Sequence, residues 1–498
     1  MAANFPSQSG GTDPAADSRS PWPALAGLMI VAAVLRGIAL NQQLWYDEMT
    51  TLVQSVRQPL GQILTTYTSQ NQHMLYNVMA RLAMDAFGDH IWTLRLPAVI
   101  FGVAAIPALY FCARQWTTAR EAWLACGLLT ASYHHVWFSQ NARGYTGMAF
   151  WTLLTTYLFV RARREQCTKL WLCYGAAMAL GLYTHLTMGF VTAGHLAVVV
   201  WLALRTRAEW GKPLLGFVSA GVLTLLLYAP ILPQVMQRTV GQATKTSVES
   251  DWTNPLWLAV EAIKGLAEGA APGVAGYVAL AVAASLFLAG LASYWRQDGV
   301  AVALMVVPGV ITAAVMLGLG HNLWPRFFFF AIGFAFLLLM RGAMRVGEAL
   351  AGMAERPAQG VAMGTALAGL MILGSAWSVR SAWIYPKQDF VGAMEWVDAQ
   401  RKADEPVLVT SLAVFPYTQY FRREWKAVDS REELDAARAA GKPVWLLSTF
   451  PVFLKSRHPD AWETIEREFT PMRVFRGTIG DGEVRVYRWT PAAPQPQN

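Results

Sequence analysis

The sequence predicts a mainly α-helical, polytopic membrane protein with a small C-terminal α/β domain. Of its 498 residues, 54% are hydrophobic and only 14% are charged, whereas soluble proteins carry about a quarter charged residues. The apolar residues form long runs, many of which approach the roughly 20 residues that cross a bilayer. After residue 380 the composition changes sharply to that of a soluble domain.

The net charge of +8 does not indicate a nucleic-acid partner. The basic residues lie in short clusters between apolar runs, for example at 161–164 and 205–207. Such clusters are typical of cytoplasmic loops under the positive-inside rule. Because no segment interleaves basic and aromatic residues, we expect the partners to be the lipid bilayer and a substrate.

Hydropathy predicts about eleven transmembrane helices. They lie at about residues 22–40, 97–113, 121–137, 145–160, 170–184, 188–204, 214–230, 274–294, 300–318, 325–341 and 361–378. Residues 1–21 are rich in Ser, Gly, Ala and Pro, which predicts a disordered cytoplasmic tail. An odd number of spans then puts the C-terminus outside.

Alternating basic and aromatic connections predict the topology. Residues 22–379 form the membrane domain, and residues 41–96 and 231–273 form two long outer loops. Short amphipathic stretches in these loops, one at 255–268, predict helices that lie on the membrane surface. We expect the connection at 321–326 on the same outer, periplasmic or extracellular face.

Residues 380–498 predict an extracytoplasmic α/β domain. Residues 406–410, 444–448 and 483–489 have the composition or alternation of strands, and residues 432–440 have the pattern of a helix.

Two adjacent carboxylates, Asp47 and Glu48, follow the first span beside Trp45 and Tyr46. A capping role at a helix start explains one acid but not the cluster. Ionised groups near hydrocarbon are costly, so we favour function. A carboxylate there could act as a general base on an acceptor hydroxyl or hold a cation.

Arg95, Arg143 and Arg326 lie at the outer ends of spans and violate the positive-inside trend. They either extend to lipid headgroups or bind an anionic ligand, since guanidinium matches phosphate with paired N–H groups. His73 is either an interfacial polar residue or part of a site with Tyr76. For His134, His135 and His185 we expect interfacial positions only.

Four short segments follow one another along the chain: Trp45-Tyr46-Asp47-Glu48, His73-Met74-Leu75-Tyr76, Leu94-Arg95-Leu96-Pro97 and Ser139-Gln140-Asn141-Ala142-Arg143-Gly144-Tyr145. In this order they resemble GT-C-type glycosyltransferases that use polyprenyl-phosphate sugars, above all the protein O-mannosyltransferase and lipid A aminoarabinose transferase group. Met74 stands where the family has a proline, and Asn141 where it has a glutamate.

The resemblance implies a role for each matching residue. Asp47 and Glu48 match the catalytic acid and its neighbour, and Arg95, Arg143 and Arg326 would bind the donor phosphate. The substrate-binding residues would be Trp45, Tyr46, His73, Tyr76 and Tyr145. No cofactor is certain; a divalent cation, for which Asp47, Glu48 and His73 are the candidate ligands, is left open.

The predicted function is transfer of a sugar from a polyprenyl-phosphate-linked donor to a hydroxyl or phosphate of an envelope lipid, glycan or protein. The membrane is expected to be the bacterial inner membrane. The first alternative is a transporter or flippase of lipid-linked sugars, which predicts inverted repeats and broken helices at mid-membrane. The second is a non-catalytic scaffold.

Overall fold

A computed structural model describes residues 20–206, 210–243, 260, 263–264, 273–319 and 323–491. The predicted N-terminal tail lies almost wholly outside the described residues. So do most of the predicted second outer loop, with its surface helix at 255–268, and the start of the predicted connection at 321–326.

The membrane part is a bundle of helices joined by short connections. In chain order these are α1 (Trp22–Gly37), α2 (Tyr46–Thr51), α3 (Leu60–Thr65), α4 (Met74–Phe87), α5 (Ile91–Ala113), α6 (Ala119–Thr130), α7 (Tyr133–Ser139), α8 (Tyr145–Glu165), α9 (Thr168–Thr184), α10 (Met188–Thr206), α11 (Gly211–Tyr228), α12 (Leu232–Ala243), α13 (Val274–Gln297), α14 (Gly299–Gly318), α15 (Ile332–Met353) and α16 (Gly360–Ile384). A π-helical turn (Leu52–Val56) extends α2, and a 3₁₀ turn (Pro325–Ala331) precedes α15.

Seven helical segments of the described chain are long and apolar enough to cross a membrane. They contain α5, α10, α11, α13, α14, α15 and α16. Large apolar side chains face outward from this bundle; Leu226 is 65% exposed and Val274 is 79% exposed. Contiguous apolar surface of this kind is unfavourable in water, so the chain is an integral membrane protein.

Four predicted spans have a different form. Helices α1, α8 and α9 lie at predicted positions, but each is shorter or less apolar than the seven segments that can cross a membrane. The span predicted at 121–137 is two helices, α6 and α7, because Ser132 starts a new helix by accepting the backbone N–H of His135 at 3.2 Å. The 12 residues of α6 extend about 18 Å, less than the bilayer core.

The first loop is helical as predicted, and its helices are α2, α3 and α4. Helix α5, however, begins at Ile91 and not at about residue 97. The hydroxyl of Thr93 accepts the His90 backbone N–H at 3.1 Å and so caps this earlier start. As a result, Arg95 lies inside the helix and points into the protein.

The C-terminal region contains a five-stranded sheet of order β2-β1-β3-β5-β4. Its elements are α17 (Phe390–Gln400), β1 (Val407–Val409), β2 (Lys426–Ala427), α18 (Arg431–Arg438), β3 (Val444–Thr449), α19 (Pro451–Arg457), α20 (Pro459–Glu468), β4 (Thr470–Phe475) and β5 (Val484–Trp489). Strands β2, β1 and β3 are parallel, and β3, β5 and β4 are antiparallel. The predicted strands and the predicted helix are present, and β2, β4 and three helices are additional.

One face of this sheet packs directly on the first loop. Alternate residues of a strand point to opposite faces, so in β3 Trp445 and Leu447 face one core while Val444 and Leu446 face the other. The first of these cores also contains Leu44 and Met49 of the first loop. The sheet and the loop that carries Asp47 therefore share one hydrophobic core.

Candidate active site

The candidate site is built on helix α2, whose first turn contains both acids. Trp45 is extended, with φ −99° and ψ 172°, and the helix begins at Tyr46. Neighbouring side chains on a helix diverge by about 100°. Asp47 and Glu48 therefore point in different directions, and the structure gives them different surroundings.

Glu48 is fully buried in an ion pair with Arg95, and both side chains are 0% exposed. Arg95 Nε donates to Glu48 Oε1 at 2.7 Å and Arg95 Nη2 donates to Oε2 at 2.6 Å. The Ala142 backbone N–H also donates to Glu48 Oε1 at 2.7 Å. This single carboxylate thus ties α2 to α5 and to the loop that precedes α8.

The remaining N–H groups of Arg95 bind backbone carbonyls that follow α1. Arg95 Nη1 donates to Leu40 O at 2.8 Å and to Gln42 O at 2.9 Å, and Nη2 donates to Gln43 O at 3.2 Å. Because its donors are used inside the protein, Arg95 is not available to a phosphate. Glu48 and Arg95 therefore form a structural ion pair. This differs from the predicted roles, which were catalysis for Glu48 and phosphate binding for Arg95.

Charge compensation keeps Glu48 ionised. Burial alone would raise the pKa of this carboxyl, but Arg95 and the nearby ammonium of Lys387 outweigh burial and lower it. Burial, with a smaller contribution from Arg95, lowers the pKa of Lys387 to about 7. The three groups form a compact buried cluster behind the site, with Lys387 only 4% exposed.

Asp47 faces the two other predicted arginines. Its Oδ2 lies 3.9 Å from Arg143 Nη2 and 3.8 Å from Arg326 Nη1. These separations exceed the roughly 2.7–2.9 Å of a direct charge-assisted hydrogen bond. The Asp47 side chain is 16% exposed, so the carboxylate is accessible and flanked by two cations.

Several polar nitrogens around Asp47 are buried without a hydrogen-bond partner in the described part of the chain. They are Arg143 Nε, Arg326 Nε and His73 Nε2. Buried polar atoms are normally paired, and an unpaired one needs an explanation. Two guanidinium N–H donors left over beside one acid are suited to binding an anion.

Asn71 connects the two sides of this group. Its side-chain amide donates to Asp47 O at 3.2 Å, and its backbone carbonyl accepts Arg143 Nη1 at 2.7 Å. Asn71 thereby fixes the Arg143 guanidinium relative to α2. It was not predicted, because a single asparagine in a loop has no distinctive sequence pattern.

An aromatic and histidine cluster lies beneath the arginines. The rings of His73 and His185 are 4.4 Å apart between centroids, and the ring of Tyr145 is 5.1 Å from that of His185. Burial, helped by Arg143, lowers the pKa of His185 to about 3 and places the pKa of His73 well below its usual range. Both rings are therefore neutral near pH 7.

The interfacial expectation for the other histidines is wrong for two of them. His185 is 8% exposed and His135 is 0% exposed. His135 Nδ1 lies 2.7 Å from the buried guanidinium of Arg36 in α1. His185 in turn is a neighbour of His73 that the sequence did not assign to the site.

The predicted substrate-binding aromatics have three different positions. Trp45 is buried and its indole N–H donates to Asn141 Oδ1 at 3.0 Å. Tyr76 is fully buried and its hydroxyl donates to Leu94 O at 2.6 Å, which removes it from the site. Tyr46 is half-buried, with edge contacts to Phe415 and Phe450 of the C-terminal region.

The three candidate ligands for a divalent cation do not converge. No group of three or more His, Cys, Asp or Glu side chains with suitable spacing occurs among the residues that the structure describes. Glu48 is held by Arg95, and Asp47 faces two guanidinium groups. A cation bound to Asp47 would be repelled by both, so these residues do not fit a metal site.

Comparison with known proteins gives one family match. Residues 72–233 match the sequence model of the family described as dolichyl-phosphate-mannose-protein mannosyltransferase. This range includes His73, Arg95, Arg143 and Tyr145. No curated protein matches the chain significantly in sequence.

Solved structures share the whole fold at low identity. ArnT from Cupriavidus metallidurans in the apo state is 14% identical, with a TM-score of 0.56, over 96% of this chain and 100% of that one. The same protein bound to undecaprenyl phosphate gives a TM-score of 0.53 over 94% and 98%. The apo oligosaccharyltransferase from Archaeoglobus fulgidus is 11% identical, with a TM-score of 0.56, over 91% and 73%.

The family match and the shared architecture confirm the predicted resemblance. The fold that this chain shares with these structures is the GT-C fold expected from the sequence. The sequence likeness is narrower: it is to the dolichyl-phosphate-mannose-protein mannosyltransferase model and is confined to residues 72–233.

Proposed function

We propose that this chain transfers a sugar from a polyprenyl-phosphate-linked donor to a hydroxyl or phosphate of a cell-envelope lipid, glycan or protein. The observation that carries the proposal is the accessible Asp47 carboxylate, 3.9 and 3.8 Å from the Arg143 and Arg326 guanidinium groups. This arrangement combines a base with a cationic site for a phosphate leaving group. One structure with the same fold, that of ArnT, contains bound undecaprenyl phosphate, which supports this donor class.

Asp47 is the general base of the proposed reaction. It takes the proton from an acceptor hydroxyl while the hydroxyl oxygen bonds to the anomeric carbon. The bond from that carbon to the phosphate oxygen breaks on the opposite side, so the configuration inverts. A carboxylate is a weak base for an alcohol, so proton transfer accompanies attack and contributes roughly 10²–10⁴-fold. A phosphate acceptor, already ionised, would need orientation more than a base.

Arg143 and Arg326 stabilise the departing polyprenyl phosphate. The leaving group gains negative charge as the bond breaks, and cations fixed in advance stabilise that charge without reorganisation. The unpaired Nε atoms of both arginines supply N–H donors for the phosphate oxygens. The His73 and His185 rings beneath them are neutral, so the positive charge that faces the phosphate comes from the two arginines.

The donor class also explains the location of the site. A polyprenyl tail stays in the bilayer, so its phosphate is presented at the membrane surface, where we also place the first loop. We place this face in the periplasm of a bacterial inner membrane, with the N-terminus in the cytoplasm. Residues 22–379 then form the catalytic membrane domain and residues 380–498 a periplasmic domain.

The test compares the envelope lipids and glycans of cells that lack the chain with those of cells that express it. Cells with the wild-type chain should gain one sugar modification, and cells with Asp47→Asn should not. The matched control is Asp85→Asn, since Asp85 lies on the same loop in an exposed pair with Arg81. A full modification level with Asp47→Asn, at equal amounts of protein in the membrane, would contradict the proposal.

A further inference from the structure

The segment at 386–389 joins the last membrane helix, α16, to the C-terminal region and contacts both halves of the site. Lys387 Nζ donates to Gln140 O at 2.6 Å, three residues before Arg143. The next residue, Gln388, accepts the backbone N–H of Tyr46 with its Oε1 at 3.0 Å, one residue before Asp47. Both side chains are buried, at 4% and 0% exposed.

The C-terminal region fixes this same segment from the other side. The backbone N–H of Thr478 donates to Pro386 O at 2.9 Å, and that of Ile479 donates to Lys387 O at 3.1 Å. The amide of Gln388 donates to Gly482 O at 2.8 Å and to Thr449 Oγ1 at 3.2 Å. Gln388 is thus bonded to α2 by one end of its amide and to the sheet domain by the other.

Close packing at Gly477 makes the contact specific. A Cβ at this position would overlap the carbonyl oxygen of Lys387, far inside van der Waals contact. The loop at 476–482 therefore approaches the backbone of the linking segment as only a glycine allows. Gly480, in the same loop, has no atom within 4 Å of such a Cβ.

We propose that residues 386–389 act as a clasp through which the C-terminal domain sets the position of Asp47 relative to Arg143. Consecutive side chains of the clasp hold the two chain segments that carry the base and one phosphate-binding cation. The inference rests on the proposed function for its catalytic consequence, but not for its structural claim. Lys387 and Gln388 are positioning residues, because they touch neither of the reacting groups.

A simple tether would not need these bonds. A flexible linker between two domains is normally exposed and makes few contacts. Here the polar ends of two buried side chains are directed to backbone groups of the site, and buried polar groups hold a geometry only when their partners are in place. A displacement of about 1 Å at a catalytic group can reduce a rate about 100-fold, so loosening the clasp should slow the reaction.

The test compares Gly477→Ala with its matched control, Gly480→Ala, in the full-length chain. Hydrogen exchange is measured at the amides of Tyr46 and Ala142, which belong to the two held segments. In Gly477→Ala we expect exchange at both amides to rise about tenfold or more, because local opening becomes easier, whereas Gly480→Ala should match the wild type. Unchanged exchange in Gly477→Ala would overturn the clasp.

Steady-state transfer kinetics form the second measurement. In Gly477→Ala kcat should fall about tenfold, while the donor KM should change less than about threefold, since Arg326 is on a separate element. A loss of folded protein with normal kcat would reduce the clasp to a structural role and overturn the proposal. If Gly477→Ala does not fold, Gln388→Ala and Lys387→Met are measured in the same way.

The two proposals fail differently. If the wild-type chain transfers no sugar from any lipid-linked donor, the proposed function is wrong, while the exchange comparison still decides whether the clasp holds the two segments. If transfer is present but Gly477→Ala has wild-type exchange and wild-type kcat, the clasp alone is wrong.

Discussion

Glu48→Gln should destabilise the protein strongly while leaving the reacting groups in place. The wild-type carboxylate accepts two hydrogen bonds from Arg95, at 2.7 and 2.6 Å, and one from the Ala142 N–H at 2.7 Å. A glutamine amide keeps one acceptor oxygen but directs an NH₂ group toward an Arg95 donor. It also leaves a guanidinium buried at 0% exposure without a countercharge.

Removal of one partner from a buried ion pair costs about 3–5 kcal/mol. We therefore expect the free energy of unfolding of Glu48→Gln to fall by about that amount, as measured by denaturant unfolding in detergent micelles. The control is Asp89→Asn, which breaks the exposed pair with Arg57 in the same part of the chain. That change should cost less than about 1 kcal/mol.

The effect should depend on pH in a defined direction. Because the pKa of Glu48 is lowered by folding, the ion pair contributes stability above the unfolded pKa of about 4.3 and loses it as the pH falls through the folded value. The difference in stability between wild type and Glu48→Gln should thus shrink as the pH falls below about 4.3. A Glu48→Gln protein as stable as Asp89→Asn at pH 7 would refute the assignment of Glu48 as a structural residue.

Three further tests, with four variants, address other parts of the site. Tyr76→Phe removes the hydrogen bond to Leu94 O and should cost about 1 kcal/mol of stability with the donor KM unchanged; a tenfold rise in KM would return Tyr76 to the substrate site. Arg143→Gln and Arg326→Gln should each lower kcat/KM by about 100-fold or more, measured by donor titration, whereas the exposed Arg57→Gln should not. In His185→Phe the free energy of unfolding should depend less steeply on pH in acid. The pKa of His185 is about 3 in the folded chain and about 6.5 in the unfolded chain. In the wild type this group therefore lowers the free energy of unfolding by about 1.4 kcal/mol for each pH unit below 6.5. Equal slopes for wild type and variant between pH 6.5 and 5 would contradict a buried, neutral His185.

The membrane bundle could be predicted from hydropathy and charge because both patterns extend over long stretches of the sequence. The predicted helical bundle and C-terminal sheet are present in the fold, and the first loop is helical as predicted. Local signals decided the exceptions. The hydroxyl of Ser132 divides one predicted span into α6 and α7. Strand β4 was not predicted because most of its residues are exposed and it lacks a buried alternation.

The site was predicted in part for a physical reason. Charges that violate a topology rule stand out in a sequence, and two of the three arginines, Arg143 and Arg326, do face Asp47. The partner of a charged residue cannot be recognised in the same way. Glu48 and Arg95, for example, are 47 residues apart in sequence and are brought together only by the fold. Asn71, His185 and Lys387 are ordinary residues in sequence and gain their roles only from the neighbours that folding brings to them.

The rate of sugar transfer by Asp47→Asn tests the central claim most directly. The measurement uses the full-length chain in lipid vesicles with the polyprenyl-phosphate sugar identified from the cell-envelope comparison, and follows release of polyprenyl phosphate. Asp47→Asn should transfer at least about 100-fold more slowly than wild type while still binding the donor through Arg143 and Arg326, and Asp85→Asn should retain the wild-type rate. Transfer by Asp47→Asn within about twofold of the wild-type rate would contradict the assignment of Asp47 as the general base.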